Sequence, residues 1–206
     1  NSSPEFTVDV IYDAEERVRL DQRTARLTDE SIHLEKRETD VEVPLEHIYD
    51  IRLGQPPLAV AGEIQNQTLT VGVGQISDTS IQDQEFYFFT GEESTITAMG
   101  NLLYRLVLNG TEVAVRHPTE IGGRQTNTSF TVGDLHISDR QVGFTNVEVP
   151  FKVPVDSIIE FSTHERELLG TTRDIIEVRY VRDGRSIVFE VSISPTAKHN
   201  ILGRYF

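Results

Sequence analysis

Histidine and acidic side chains are the residues of this sequence that could do chemistry, since they ligate metals and transfer protons. The histidines are scattered along the chain, at His33, His47, His117, His136, His164 and His199. No two of them are four residues apart, the spacing that places two imidazoles on one face of a zinc-binding helix. The densest charged stretch, His164-Glu165-Arg166-Glu167, is expected to be a solvated loop between two strands. The sequence therefore predicts no metal site.

No motif of a known catalytic class occurs. Gly72-Val73-Gly74 is a fragment of a dinucleotide-binding pattern, but its third glycine is missing and no helix is predicted after it. The chain has no cysteine, and it lacks the nucleophile elbow, the Walker loop and the calcium loop. We therefore expect no catalytic residues and no cofactor. An enzyme of an unrecognised type would need a deep pocket with converging titratable groups.

Charge limits the classes of partner. The formal net charge of −14 argues against binding of nucleic acid or of an anionic membrane, because both need basic patches. No apolar run approaches the roughly 20 residues of a membrane span, so we expect no membrane insertion. The composition is that of a soluble globular protein, and its acidity fits a basic partner or a high-salt environment.

A sequence repeat determines the organisation of the chain. Positions at one constant separation carry the same classes of residue: Leu27-Thr28-Asp29 and Ile137-Ser138-Asp139, Ile32 and Val142, Leu34 and Phe144, Val43-Pro44-Leu45 and Val153-Pro154-Val155, Ile51 and Phe161. Their alternation of apolar and polar residues is typical of half-buried strands. The repeat unit is therefore predicted to be mostly β.

Each copy is predicted to end in a helix. Apolar residues from Ile96 to Leu106 recur at helical spacing, and Asn109-Gly110 should end that helix. Asp183-Gly184 indicates a hairpin, after which Ser194-Pro195 should open a second helix as its N-cap and first residue. A shared pattern, Asn101-Leu102-Leu103-Tyr104-Arg105 and Asn200-Ile201-Leu202-Gly203-Arg204, aligns the two helices.

Six or seven strands followed by one helix is the layout of a pleckstrin-homology-like domain, a bent antiparallel sheet closed by a helix. We predict a mainly β fold of two such domains in tandem, produced by internal duplication, with one closing α-helix per repeat. The first domain spans 1–112, a linker spans 113–127, and the second domain spans 128–206. Residues 1–6 are expected to be a cloning remnant or a trimmed boundary. Phe206 lies inside the helical pattern, so we expect the native chain to continue.

Three segments resemble the CheF family of archaeal chemotaxis proteins: Leu106–Pro118 with the following Gly122-Gly123, Asn200–Tyr205, and Val43–Ile51. The resemblance implies a non-catalytic adaptor that links the phosphorylated CheY response regulator to the switch proteins of the archaellum motor. It also implies a cytoplasmic location and a C-terminal winged-helix-like region after the tandem domains.

The candidate protein-binding residues lie in the linker and at the end of the chain. They match the family segments or should contact whatever follows the second helix: Asn109, Gly110, Arg116, His117, Gly122, Gly123, Gly203, Arg204, Tyr205 and Phe206. For the linker residues, turn and packing geometry is the competing explanation. An alternative function is a generic tandem β-domain protein-binding module that is secreted and glycosylated. Asn-x-Ser/Thr sequons at Asn1, Asn66, Asn109 and Asn127 favour that alternative.

Overall fold

A computed structural model of the chain describes residues 3–12, 20–36, 40–54, 67–77, 80–138, 140–168 and 170–206. The chain divides into two units, Asn1–Val107 and Leu108–Phe206. Strands make up most of the described part of both units, and the last element of each unit is an α-helix. The predicted mainly β class, with one helix at the end of each unit, is confirmed.

Unit 1 is one antiparallel sheet and one helix. Its described strands are β1 (Glu5–Tyr12), β2 (Leu20–Leu27), β3 (Ser31–Glu35), β4 (Val41–Pro44), β5 (Ile48–Gly54), β6 (Thr68–Ile76) and β7 (Ile81–Thr90). They form a 7-stranded sheet in the order β4-β3-β2-β1-β7-β6-β5, and helix α1 (Glu93–Leu108) follows. The strands β4 and β5 are therefore the two edges of the described sheet.

Helix α1 covers part of this sheet with its apolar face. Ile96, Met99 and Leu103, which recur at the predicted helical spacing, are fully buried. Gly100 lets the helix approach the sheet, because an added Cβ there would lie 3.3 Å from Leu53 of β5. Gly110 has a φ of +74°, the left-handed conformation that ends helices, so the predicted end of the helix is confirmed.

Unit 2 contains the remaining described strands and the second helix. Its elements are β8 (Glu112–Ile121), β9 (Arg124–Gln125), β10 (Thr131–Ser138), β11 (Gln141–Thr145), β12 (Phe151–Pro154), β13 (Ile158–Leu168), β14 (Thr171–Arg182), β15 (Arg185–Ile193) and α2 (Thr196–Tyr205). The strand order is β12-β11-β10-β8-β15-β14-β13, and β9 pairs with β8 outside this path. When the strands of each unit are numbered from its first strand and β9 is left out, this order is the same as in unit 1. A short 3-10 turn follows the repeated Val-Pro pair in both units.

Residues 113–127, predicted as a linker, are a structured part of unit 2 instead. Strand β8 pairs with both β10 and β15, so it lies inside the sheet. Pro118 lies within an irregularity of β8, where the step from Arg116 to Glu120 pairs with the shorter step from Glu190 to Val188 of β15. Prolines are tolerated at such bulges. Gly122-Gly123 form the turn between β8 and β9. The Pro and Gly signals thus mark a bulge and a turn within one sheet.

Two smaller expectations were wrong. His164-Glu165-Arg166-Glu167 is part of strand β13, because each residue pairs with β14. Helix α2 has Pro195 at its N-cap, without a capping side chain, so Ser194 is not the cap.

Among the described residues, neither helix is long and apolar enough to cross a membrane.

Candidate functional site

The candidate residue His117 lies in an aromatic cluster of unit 2. Its Nε2 lies 2.8 Å from the phenolic oxygen of Tyr180 on β14. Its ring stacks on Phe151 of β12, with centroids 3.8 Å apart and planes inclined by 11°. Phe144 and Phe189 pack edge to face against each other and complete the cluster, with centroids 5.5 Å apart. The strand β8 holds His117 there because it lies between β10 and β15.

Burial makes this histidine a neutral group. Desolvation, with a smaller contribution from the positive charge of Arg182, lowers the pKa of His117 to about 4. Burial also raises the pKa of Tyr180 above its usual value. At neutral pH the hydrogen bond therefore joins an uncharged imidazole and an uncharged phenol. The pair fixes the orientation of the two rings and carries no charge of its own.

A cavity of about 490 Å³ adjoins the aromatic cluster. It is lined by Phe144, Thr145, Pro150, Phe151, Lys152, Pro154, Tyr180, Val181 and Arg182. Three rings of the cluster, those of Phe144, Phe151 and Tyr180, belong to this lining. The two cationic residues of the lining, Lys152 and Arg182, are exposed. A concave apolar wall with a few polar groups is typical of binding sites, and the cavity falls in their usual size range. It suits an apolar or aromatic group that carries a negative charge.

A buried carboxylate lies on β15 beside this cluster. Glu190 is 2% exposed, and its Oε2 lies 3.1 Å from Nε of Arg116 and 2.8 Å from Nη1 of Arg166. The guanidinium of Arg116 also lies over the ring of Phe130, 5.7 Å from its centroid. Two arginines neutralise the buried charge. The candidate residue Arg116 therefore has a structural partner inside unit 2.

The side chain of Asn109 forms two hydrogen bonds to the main chain of Ile137, as a neighbouring strand would. Its Nδ2 donates to the main-chain oxygen of Ile137, and its Oδ1 accepts from the N–H of the same residue. Gly110 donates its N–H to the oxygen of Leu135 at 2.9 Å. These bonds fix the first residues of unit 2 onto β10. The nitrogen that a glycan would modify is thus engaged in a hydrogen bond, which disfavours Asn109 as a glycan acceptor in the folded chain.

The candidate glycines of the β8–β9 turn are exposed. Gly122 and Gly123 have φ values of +54° and +81°, which favour glycine in a tight turn. Gly122 also donates its N–H to the oxygen of Ser186 at 2.8 Å. The turn conformation and this hydrogen bond therefore explain why glycine occupies both positions.

The candidates at the end of the chain belong to helix α2 and its last turn. Arg204 is exposed, and Gly203 and Tyr205 are partly buried. Phe206 contacts Phe189 of the aromatic cluster, with centroids 6.2 Å apart. Since His117 also contacts Phe189 at 6.4 Å, the structure connects one linker candidate with one terminal candidate through a shared ring.

The sequence reasoning missed the residues that line the cavity. Phe144, Phe151 and Tyr180 come from three different strands, and only the strand order brings them together. The sequence did contain one signal for these residues, because the second repeat has aromatic side chains at several of its apolar positions. Within the ranges that the structure describes, no group of three or more His, Asp or Glu side chains could hold a metal ion.

Comparison with known proteins gives the family. The family model described as "Archaeal Chemotaxis signal transduction system protein F" matches residues 11–206. The chain belongs to this family of archaeal chemotaxis proteins. Its resemblance to CheF proteins, predicted from three segments, is confirmed.

One curated relative is the protein named "Taxis protein CheF2" of Halobacterium salinarum (strain ATCC 29341 / DSM 671 / R1). It is 26% identical to this chain over 163 residues, which are 79% of this chain and 54% of that protein. The chain thus spans about half the length of this CheF relative. Its membership makes it a signalling protein of archaeal chemotaxis.

Proposed function

We propose that this chain is part of a non-catalytic, cytoplasmic adaptor that links a phosphorylated CheY-like response regulator to the switch proteins of the archaellum motor. The observation that carries the proposal is the family match, which extends over residues 11–206 and so includes both units. A chemotaxis signal must reach the motor through protein contacts. A chain built from two β units provides surface for more than one partner.

The architecture supports two pleckstrin-homology-like domains in tandem. In both units the described strands follow the same order, and a helix comes last. The repeated Val-Pro pair precedes the same short turn in each unit. Duplication of one ancestral unit accounts for both the repeated sequence and the repeated strand order.

The cavity of unit 2 is the surface that we assign to a protein partner. Its aromatic wall can accept an apolar side chain, and Lys152 and Arg182 can pair with a neighbouring carboxylate or phosphate. The chain has a net charge of −14, so much of its surface repels an acidic partner. The two cations at the cavity would attract such a partner there instead. The exposed candidates Gly122, Gly123 and Arg204 remain proposals for contacts with a second partner.

The proposal is tested by titrating the chain with a CheY-like regulator, held in a phosphate-mimic state or left unmodified, by calorimetry at high salt. We expect tighter binding of the phosphate-mimic form. Lys152→Ala and Arg182→Ala should each weaken it, by about tenfold for a lost charge-assisted contact. Arg124→Ala is a matched control, because this exposed arginine of β9 does not line the cavity.

Two results would count against parts of the proposal. Equal binding by the cavity variants and the control would remove the cavity from the interface. If neither this chain nor a chain of the length of its relatives distinguishes the two forms of the regulator, the adaptor role is wrong.

A further inference from the structure

In unit 1 the helix closes the edge of the sheet at β5. Tyr104 of α1 donates its phenolic O–H to the main-chain oxygen of Ile51 at 2.8 Å. Both residues are buried, at 4% and 0% exposure. Close packing of Gly100 against Leu53 brings the helix down onto this edge. The phenol thus fills the space between the helix and the edge strand and engages its main chain.

In unit 2 the corresponding space is open. The aligned pattern of the two helices puts Gly203 at the position of Tyr104, and the strand repeat puts Phe161 at the position of Ile51. A Cβ added to Gly203 would meet no atom within 4 Å. Phe161 is 45% exposed. Its ring neighbour is Phe206, 6.4 Å away, at the end of α2.

The open space borders a long edge strand. Strand β13 has 11 residues, and among the described residues it pairs with β14 alone. Its other edge has no strand partner in the part of the chain that the structure describes, and natural proteins usually protect such edges. The strand also exposes Ile159, at 62%. A long, accessible edge beside an open space at a helix is the geometry to which an extended peptide adds as a further strand.

We propose that β13 and α2 of unit 2 bind an extended, apolar and basic segment of a partner protein, which adds to the sheet as an antiparallel strand. Its main chain pairs with β13, and an apolar side chain enters the space between Phe161, Gly203 and Phe206. Its basic residues face Glu165 and Glu167, which are exposed and lie on the same side of β13 as Phe161. This surface shares no residue with the lining of the cavity, so it does not depend on the adaptor proposal.

Charge selects this occupant over a second copy of the same chain. The arginine of β13, Arg166, is already paired with the buried Glu190. Among the described residues Glu160 also has a partner, since its Oε2 lies 3.6 Å from Nε of Arg179, so Glu165 and Glu167 are the carboxylates left to face an added strand. A second β13 would bring the same carboxylates, on a chain that also carries a net charge of −14. A basic segment gains from this charge at low salt.

The probe is a blocked peptide of about ten residues, a length typical of a long strand, in which every second residue is lysine in the N-terminal half and valine in the C-terminal half, with threonine between them. The control probe replaces lysine by glutamate. Binding to the 206-residue chain is measured by fluorescence anisotropy at low and high salt, and hydrogen exchange reports the protection of amides in β13. The deciding variant is Gly203→Tyr, which places a phenol where unit 1 has Tyr104. Asn200→Tyr adds the same ring at an exposed position of the same helix.

We expect the valine-lysine peptide to bind the parent chain and Asn200→Tyr equally, and to bind Gly203→Tyr at least about tenfold more weakly. Protection should appear in β13 on binding and be lost in Gly203→Tyr. Urea unfolding of all three proteins is measured alongside, and we expect each to be folded, since a Cβ added at Gly203 meets no atom within 4 Å.

Three results would overturn the proposal. The first is equal binding of the peptide to Gly203→Tyr and the parent chain. The second is equal binding of the valine-glutamate peptide. The third is self-association of the parent chain through β13 that Gly203→Tyr abolishes, because the occupant would then be a second copy.

Discussion

Acidification tests the burial of His117 most sharply. In the unfolded chain this histidine takes up a proton near its usual pKa of 6.5, whereas in the folded chain its pKa is lowered to about 4. Between these values the unfolded state binds more protons than the folded state. Stability is therefore fully present above pH 6.5 and falls as the pH falls towards 4.

The magnitude follows from the two pKa values. Their difference of roughly 2.5 units corresponds to about 3.4 kcal/mol when the window is crossed completely, and about 2 kcal/mol is lost by about pH 5. The ring keeps part of its surface in contact with solvent, which screens the penalty. We therefore expect His117 to account for about 1.5 kcal/mol of the stability lost between about pH 7.5 and pH 5.

Other groups also titrate in this range, so the contribution of His117 is measured as the difference between the parent chain and a variant that lacks this histidine. Urea unfolding is followed by circular dichroism at both pH values for the parent chain and for His117→Phe, which keeps an aromatic ring on Phe151. The parent should lose about 1.5 kcal/mol more than the variant on acidification. Tyr180→Phe is the control, because it removes the hydrogen bond but keeps the burial, the larger cause of the lowered pKa. It should be less stable at both pH values, with most of the pH-dependent loss retained.

An equal loss in the parent and in His117→Phe would refute this account of the cluster. The same holds for a larger loss in the variant, which would require a charged imidazole to be stabilised in the fold.

Three substitutions test the contacts that hold each unit together, all measured by urea unfolding at neutral pH. Tyr104→Phe should lower the free energy of unfolding by about 1 to 2 kcal/mol, because it removes a buried hydrogen bond to Ile51; an unchanged value would mean that this bond adds nothing. Glu190→Gln should cost about 3 kcal/mol, since two arginines lose their buried counter-charge, and a stabilised variant would contradict the ion-pair interpretation. Asn109→Ala should cost about 1 to 2 kcal/mol by leaving the main chain of Ile137 without its partners, whereas an unaffected variant would show that solvent replaces them.

The sequence predicts regular elements well where their period is clear. Ile96, Met99 and Leu103 identify helix α1 because the spacing i, i+3, i+7 puts them on one face of a helix, and all three are buried. The alternation of Ile32 and Leu34 identifies β3 in the same way. These signals are local, so they survive without knowledge of the fold.

Other features depend on contacts between distant segments. Pro118 and Gly122-Gly123 look like linker signals, but pairing of β8 with β10 and β15 makes them a bulge and a turn. The cavity residues Phe144 and Tyr180 are far apart in sequence, and only the sheet brings them to one wall. Local patterns do not contain that information, because proline and glycine are used both between domains and inside sheets.

The adaptor role is tested most directly by asking whether one molecule holds both partners at once. The archaellum switch proteins are immobilised, and capture of a CheY-like regulator from solution is measured with and without this protein. We predict that the regulator is retained only when the protein is present and the regulator is in its phosphate-mimic state. Equal retention without the protein, or displacement of the protein from the switch by the regulator, would contradict the account.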